Sequence, residues 1–382
     1  MFQHQGKVVN YNSRNSYIFP KEGFTMSPQI IDIHHHIIPQ IYKHALKKIG
    51  VTTAGGYPIK DWKPEDSLQM MDELGIDVGV TSISEPATLP FKKKKAAKVA
   101  RQVNEYQAEL KAKYPGRFRS FALLPMPHVK ESIAEVRYAL EELKLDGIGL
   151  LSNYGDAYLG DDCFDPVMAE INRHQGIIFV HPSSTSDKVA KPQYVFADFL
   201  EEFTFNTTRA ATNLVLSGTM ERYDQLKFIL AHAGGTLPYL KWRIHEALET
   251  QRYIMEDPKS RLQSMMGSKK KDLMKTVIKH PVKYAKMFKQ YKHGLDGWNT
   301  LNATVSEYLS RFYYDTALST GDATFASLNE TTDVSHLLFG SDAHYAPDSW
   351  IDKMQQDISR TKYFTQEEKE GIFNRNSKQL FS

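Results

Sequence analysis

The chain has 382 residues, of which 41% are hydrophobic and 24% charged, with a formal net charge of +3. This length suits one large domain or two small ones, and the charge is too small to indicate a nucleic-acid-binding protein. No stretch approaches the roughly 18 apolar residues that a membrane-spanning helix needs, and the first residues lack the apolar core of a signal peptide. A single cysteine, Cys163, excludes an internal disulfide and fits a reducing compartment, so we expect a cytoplasmic protein.

The chain divides into a polar start and one long region with a regular pattern. Residues 1–28 are mixed and show no period, which predicts an N-terminal extension packed on the surface or against a partner subunit. From residue 29 to 382, apolar runs of strand length alternate with stretches of helical character. We interpret residues 29–382 as one domain.

Eight strands are predicted in this region. The first contains Ile30, Ile31 and Ile33, apolar β-formers that lead into His34-His35-His36. The others are predicted at 78–84, 119–124, 147–152, 176–180, 228–231, 312–315 and 337–339, with helices over 64–74, 96–113 and 130–143 between the early strands. Eight strands that alternate with helices are typical of a (β/α)8 barrel of the α/β class. A doubly wound open sheet competes less well, since no Gly-x-Gly-x-x-Gly follows the first strand.

Polar residues occur at the carboxyl ends of four of these strands. His34 and His36 share one face of the first strand because side chains alternate, while His35 points the other way. His181 follows the fifth strand, His232 the sixth and Asp342 the eighth. In a barrel these ends meet at the catalytic face. Singly, His181 also suits a structural histidine and Asp342 a turn or a helix N-cap.

Together, His34, His36, His181 and Asp342 predict a metal site. Three imidazoles and one carboxylate suit a borderline divalent cation, most readily Zn²⁺ with Mn²⁺ as the alternative, and leave one position for water. His232 is then a second-metal ligand or a proton-transfer residue, and we favour proton transfer. We expect one metal, since the fourth strand ends at Leu151-Ser152 without the lysine that would bridge two ions. His232 and Asp342 are the expected catalytic residues.

Three segments exceed the minimal barrel. Residues 39–62 and 153–164 are expected to be long loops on the catalytic face, where such loops form lids and substrate walls. Residues 251–300 contain ten lysines and two arginines against four acidic residues. This segment predicts a basic helical insertion, either a solvated surface or a patch for an acidic substrate.

The sequence resembles the amidohydrolase superfamily, in the subgroup of aminocarboxymuconate-semialdehyde decarboxylase. The resemblance covers roughly residues 28–382 and rests on several short motifs: Ile31-Asp32-Ile33-His34-His35-His36 with Pro39, Trp62-Lys63-Pro64-Glu65, Met71-Asp72-Glu73-Leu74-Gly75, Tyr114-Pro115-Gly116-Arg117-Phe118, Phe179-Val180-His181-Pro182, Thr207-Thr208-Arg209-Ala210-Ala211, Leu226-Lys227-Phe228-Ile229-Leu230-Ala231-His232-Ala233-Gly234-Gly235, Leu237-Pro238-Tyr239, Tyr314-Asp315-Thr316-Ala317 and Phe339-Gly340-Ser341-Asp342.

The resemblance implies a barrel of the metal-dependent hydrolase type with a single metal, usually zinc, on His34, His36, His181 and Asp342. It also implies that Arg243 crosses a homodimer interface to bind a substrate carboxylate, a role that suits a guanidinium fork. A surface arginine on a helix is the other interpretation. One position departs from the subgroup, because a substrate-binding arginine expected after Trp62-Lys63-Pro64-Glu65 is Ser67 here.

Three function classes follow. The first is a metal-dependent, non-oxidative decarboxylase of a small, anionic, carboxylated aromatic or muconate-like acid. The second is a metal-dependent hydrolase of a lactone, amide or ester, which would use the same metal ligands. The third is a non-catalytic binding protein on a barrel scaffold, which the complete metal set disfavours.

Overall fold

A computed structural model describes residues 29–186, 188–256 and 278–382. The predicted N-terminal extension over 1–28 lies outside the described residues, as does the middle of the predicted basic insertion, 257–277. Within the described residues no helix is long and apolar enough to cross a membrane.

Eight parallel strands form one sheet in the order of the chain, which confirms the predicted barrel. They are β1 Ile30–His36, β2 Ile76–Ser82, β3 Phe118–Leu123, β4 Gly147–Leu151, β5 Ile177–His181, β6 Lys227–Leu230, β7 Tyr313–Asp315 and β8 Leu337–Leu338. Each observed strand begins and ends within about two residues of its predicted position.

The sheet closes where the first strand meets the segment after the last. The amide of Ile33 donates to the carbonyl of Phe339 at 2.9 Å, and the amide of Asp342 donates to the carbonyl of His34 at 2.9 Å. Backbone hydrogen bonds therefore join residues about 300 positions apart. We call this junction the seam of the barrel.

Helices pack around the barrel between the strands. They are α1 Gln40–Lys47, α2 Pro64–Leu74, α3 Lys93–Lys113, α4 Val129–Arg137 with a π-helical turn Tyr138–Glu142, α5 Asp165–Arg173, α6 Glu202–Leu216, α7 Thr219–Arg222, α8 Leu237–Glu256, α9 Pro281–Trp298, α10 Val305–Ser310, α11 Asp322–Asn329, α12 Asp348–Arg360, α13 Gln366–Glu370 and α14 Asn376–Leu380.

Helix α2 illustrates how the sequence sets these boundaries. Pro64 occupies its first turn, where a missing amide proton costs nothing, and the Asp66 side chain accepts from the amide of Lys63 at 3.0 Å. Gly75 ends the helix with φ of 68°, a conformation that glycine adopts without strain. Met70 and Met71 pack into the core.

A register shift in β1 decides which side chains face the barrel interior. Ile33 belongs to the buried interior cluster with Val80 and Phe179, and the shift against β2 falls between Asp32 and His35. Because of this bulge, His34 follows Ile33 into the interior, while Asp32 and His35 share the outer side and are hydrogen-bonded to each other at 3.0 Å. The prediction that His34 and His36 point away from His35 is confirmed. Strict alternation counted back from His34 would have placed Asp32 in the interior as well, but Asp32 lies on the outer side.

The long segments after β1 and β4 carry short structures of their own. Residues 39–62 include α1 and a hairpin of Thr53–Ala54 with Tyr57–Pro58. Residues 153–164 include a second hairpin, Asn153–Tyr154 with Ala157–Tyr158. The predicted basic insertion, 251–300, contains the last turns of α8 and all of α9.

Candidate metal centre

Four predicted residues meet at the carboxyl end of the barrel. His34 and His36 come from β1, His181 from the end of β5, and Asp342 from the seam after β8. One potential ligand atom from each lies within 4.8 Å of the others, and all four residues are buried. Residues from opposite ends of the chain therefore form one donor cluster.

Hydrogen bonds hold each imidazole with its Nε2 towards the centre. His34 Nδ1 donates to the Asp315 carboxylate at 2.8 Å, and His181 Nδ1 donates to the carbonyl of Pro182 at 2.7 Å. His36 Nδ1 is hydrogen-bonded to Ser82 Oγ at 3.0 Å. A neutral ring that donates from Nδ1 keeps a lone pair on Nε2, the atom that a metal needs.

The converging nitrogen and oxygen atoms of the cluster approach one another closely. Nε2 of His34 lies 2.9 Å from Nε2 of His36. Oδ1 of Asp342 lies 3.4 Å and 3.2 Å from these two nitrogens, and it is a buried oxygen without a hydrogen bond among the described residues. Lone pairs this close repel each other unless a cation lies between them. The donor set fits a divalent cation of the zinc or manganese type.

Burial and the neighbouring side chains shift the pKa values of the cluster residues in opposite directions. Burial lowers the pKa of His34 and of His181 well below the ordinary imidazole value, which favours their neutral, ligating form. Burial would raise the pKa of Asp342, but the interactions of its carboxylate with His34, His232 and His36 outweigh burial and hold the pKa well below its usual range. The cluster therefore combines the neutral rings of His34 and His181 with one carboxylate anion.

His232 lies beside the cluster. Its Nε2 is 3.5 Å from Oδ2 of Asp342, and its ring centre is 5.0 Å from that of His34. Burial lowers the pKa of His232, but the hydrogen bond and charge of Asp342 outweigh this, so the pKa lies above its ordinary value. Its Nδ1 is buried without a hydrogen bond among the described residues. An imidazole so placed can hold or release a proton next to a bound substrate.

Asp315, at the end of β7, has a supporting role that the sequence reasoning missed. One carboxylate oxygen accepts from His34 Nδ1, and the other accepts from the amides of His232 and Ala317 at 2.8 Å and 3.0 Å. Burial raises its pKa to about 7. Its position at a strand end, inside the motif Tyr314-Asp315-Thr316-Ala317, was the available signal.

Gly340 explains part of the motif before Asp342. A Cβ atom at Gly340 would lie 2.9 Å from Cβ of His34 and 3.2 Å from Cβ of Asp315. Only glycine lets the chain pass this close to the ligand and its support. Asp342, two residues further along the chain, has φ of 59°, a backbone conformation that residues other than glycine rarely adopt.

Two loop segments meet over the mouth at Glu85. This buried carboxylate accepts from the amide of Gly55 at 2.8 Å, and from both the amide and the hydroxyl of Ser184. Gly55 belongs to the first hairpin and packs against Phe203, whose ring centre lies 5.9 Å from that of His181. The hairpin therefore packs next to a metal-ligand candidate and helps to enclose the centre.

Two other predicted positions lie away from the cluster. Arg243 is exposed on α8. Ser67, the position of the expected substrate arginine, is fully buried on α2 and hydrogen-bonded to His35 on the outer side of β1. The end of β4 places buried Ser152 at the catalytic face, consistent with the absence of a bridging lysine there.

The chain matches the model of a protein family described as "Amidohydrolase" over residues 31–382. It is 32% identical to the decarboxylase yanB of Aspergillus niger over 336 residues, 85% of this chain and 79% of that protein. It is 30% identical to the 6-methylsalicylic acid decarboxylase acuB of Aspergillus aculeatus over 325 residues, covering 83% and 84% of the two chains. These similarities confirm the resemblance inferred from the motifs.

The fold also matches a solved structure. A 5-carboxyvanillate decarboxylase from Novosphingobium aromaticivorans superimposes with a TM-score of 0.71 at 16% identity, covering 92% of this chain and 96% of that one. Its crystals contained manganese and 4-hydroxy-3-methoxy-5-nitrobenzoic acid. At this identity the likeness concerns the fold.

Proposed function

The chain belongs to the amidohydrolase family of enzymes, and we propose that it is a metal-dependent carboxy-lyase. It would remove carbon dioxide non-oxidatively from a small carboxylated aromatic or muconate-like acid. The observation that carries this proposal is the conjunction of a buried His34, His36, His181 and Asp342 set with decarboxylase relatives at 30–32% identity over more than four fifths of the chain.

We propose one divalent cation per chain, most readily Zn²⁺ and alternatively Mn²⁺. Three imidazole nitrogens and one carboxylate support zinc, and the manganese in the Novosphingobium enzyme supports the alternative. When bound, the cation supplies Lewis acidity that attracts the anionic substrate and withdraws electron density from it.

The residues around the cluster suit the proton requirement of this reaction. Non-oxidative decarboxylation breaks the bond between the carboxylate and a carbon of the ring or diene. The electron pair stays on that carbon, which then takes a proton, and carbon dioxide leaves. We propose that His232 holds and delivers that proton. This role is supported by its pKa, which Asp342 raises, and by its Nδ1, which has no protein partner among the described residues.

Enclosure supports the same chemistry. Glu85 ties the first hairpin to the segment after β5, and Phe203 lies between that hairpin and His181. An apolar ring can pack against such a wall while bulk water is excluded. Lower local polarity strengthens each electrostatic contact with the reacting acid.

We further propose a homodimer in which Arg243 of one subunit binds the substrate carboxylate in the other. Arg243 is exposed on α8 next to Tyr239 and Trp242, whose side chains are 81% and 73% exposed. Large aromatic side chains with an arginine are typical of protein interfaces. A monomer by light scattering at micromolar concentration would contradict this part of the proposal.

We propose the cytoplasm as the compartment of the enzyme. Cys163 is a free cysteine, as expected in a reducing environment. Microscopy of the tagged full-length chain would test this.

The function is tested by product analysis with purified, metal-loaded protein. Carboxylated phenols such as 6-methylsalicylate would be compared with matched lactones and esters of the same ring size. We expect carbon dioxide release from the acids and no ring opening of the lactones. Lactone or ester hydrolysis without carbon dioxide release would replace the proposal by the hydrolase function.

A further inference from the structure

Ser67 is the centre of a buried hydrogen-bond cluster that the proposed chemistry does not use. Its Oγ lies 2.8 Å from Nε2 of His35, 2.7 Å from Nε2 of His344 and 3.0 Å from Nε1 of Trp62. The Ser67 side chain is 0% exposed. Three partners fill the entire hydrogen-bonding capacity of a hydroxyl, which has one proton and two lone pairs.

The cluster continues through His35 to Asp32. His35 Nδ1 lies 3.0 Å from Oδ2 of Asp32, so carboxylate, imidazole and hydroxyl follow one another as in a hydrolase triad. A nucleophilic role for Ser67 is excluded by its burial and by its occupied lone pairs, because a substrate cannot reach it. The cluster must therefore act on its neighbours in the fold.

Those neighbours are the two segments that carry metal-ligand candidates. Asp32 accepts from the amide of His34 at 3.1 Å, and from the amide and hydroxyl of Ser341 at 2.9 Å and 2.6 Å. Ser341 precedes Asp342, and His35 separates His34 from His36. Asp32 thus joins both sides of the seam, and Ser67 joins them a second time from α2 through His35 and His344.

The hydroxyl of Ser67 also requires that His35 and His344 take opposite hydrogen-bonding roles, one as donor and the other as acceptor. Trp62 Nε1–H can only donate, so it occupies one lone pair of Ser67 Oγ. One proton and one lone pair remain for two imidazole nitrogens. One of these nitrogens must accept from Ser67, and the other must donate to it.

We propose that Ser67 is a positioning residue for the metal centre. Its hydroxyl is hydrogen-bonded to both His35 and His344 and so fixes the seam between β1 and Asp342. This inference rests on the metal centre proposed above. Residues behind metal ligands typically alter metal affinity by about 10–100-fold when they are replaced. The ligands here come from opposite ends of the chain, so their spacing depends on the seam.

The test compares two buried serines. Ser67→Ala removes a hydroxyl with three partners, whereas Ser132→Ala removes a fully buried hydroxyl on α4 that has no hydrogen-bond partner among the described residues. The Zn²⁺ dissociation constant of the full chain is measured by competition with a chelator. We expect a rise of about tenfold for Ser67→Ala, less than twofold for Ser132→Ala, and recovery in Ser67→Thr, which keeps the hydroxyl.

A measurement on the wild-type protein covers the case in which Ser67→Ala fails to fold. In ¹⁵N-histidine NMR of the zinc-loaded chain, one Nε2 of the pair His35 and His344 should carry a proton and the other should not. Two protonated or two bare Nε2 atoms would overturn the coupling, as would equal Zn²⁺ affinities in Ser67→Ala and Ser132→Ala. A wild-type chain that binds no divalent metal would instead overturn the proposed function.

Discussion

The two faces of β1 are both buried and both polar, yet they differ in how their polar atoms are satisfied. On the inner face, Nε2 atoms of His34 and His36 lie 2.9 Å apart, and Oδ1 of Asp342 beside them lacks a hydrogen bond among the described residues. On the outer face, Asp32 and His35 have their hydrogen bonds supplied by protein groups.

This difference separates a ligand site from a structural support. Buried polar atoms are almost always paired, so converging unpaired acceptors mark a place where a cation belongs. A fully paired buried network instead fixes geometry. Changes on the inner face should therefore remove metal or turnover directly, whereas changes on the outer face should act on the metal only through the positions of its ligands and on the stability of the fold.

The largest effect is expected for His181→Ala, which removes one of the four proposed metal ligands. Metal content should fall steeply because a ligand atom is lost, and activity should fall with it. Elemental analysis after dialysis measures this. His336→Ala, a partly buried histidine outside the cluster, is the control and should keep its metal.

His232→Ala should lower turnover without lowering metal content. We expect turnover to fall by about 10²–10⁴-fold, the usual worth of acid–base catalysis, while metal content stays at the wild-type level. Steady-state kinetics and metal analysis of one preparation give both values. If His232→Ala loses metal as readily as His181→Ala, then His232 is a ligand and not a proton-transfer residue.

Asp315→Asn tests the support directly behind the inner face. The amide keeps the shape of the carboxylate but accepts the His34 Nδ1 proton less strongly and lacks the charge that stabilises it. Metal affinity should fall by about tenfold. Asp333→Asn, at an exposed turn where the side chain accepts from the amide of Ser335, is the matched control. Equal metal affinities in the two variants would show that Asp315 does not support the metal ligand His34.

The smallest effect is expected for Trp62→Phe on the outer face. This variant removes one donor to Ser67 but leaves the contacts of Ser67 with His35 and His344. We expect a loss of about 1 kcal/mol in the free energy of unfolding and an unchanged metal affinity. Denaturant unfolding and chelator competition check the two parts. A tenfold loss of metal affinity would show that the indole donor of Trp62 is itself needed to position the metal ligands.

Local pattern was sufficient to predict most of the barrel and the residues of the buried donor cluster. Apolar runs of strand length end in His34, His36, His181 and Asp342, and the fold geometry brings strand ends together. The bulge in β1 was not predictable, because a register shift depends on the neighbouring strand and leaves no period in the sequence.

Support residues were harder to predict because their partners are distant in the chain. Ser67 and His344 are 277 positions apart, and His34 and Asp315 are 281 positions apart. The residues next to Ser67 in the sequence form an ordinary amphipathic helix and do not indicate that its hydroxyl has distant partners. Arg243 stays a prediction, since its proposed partner is a second subunit.

The metal content of the purified wild-type chain decides whether the buried donor cluster holds one divalent cation. Protein purified without added metal and passed through size exclusion would be analysed by inductively coupled plasma mass spectrometry. We expect one equivalent of zinc or manganese per chain, with carbon dioxide release lost on chelation and restored by the metal. Two equivalents per chain, or full carbon dioxide release from metal-free protein, would contradict it.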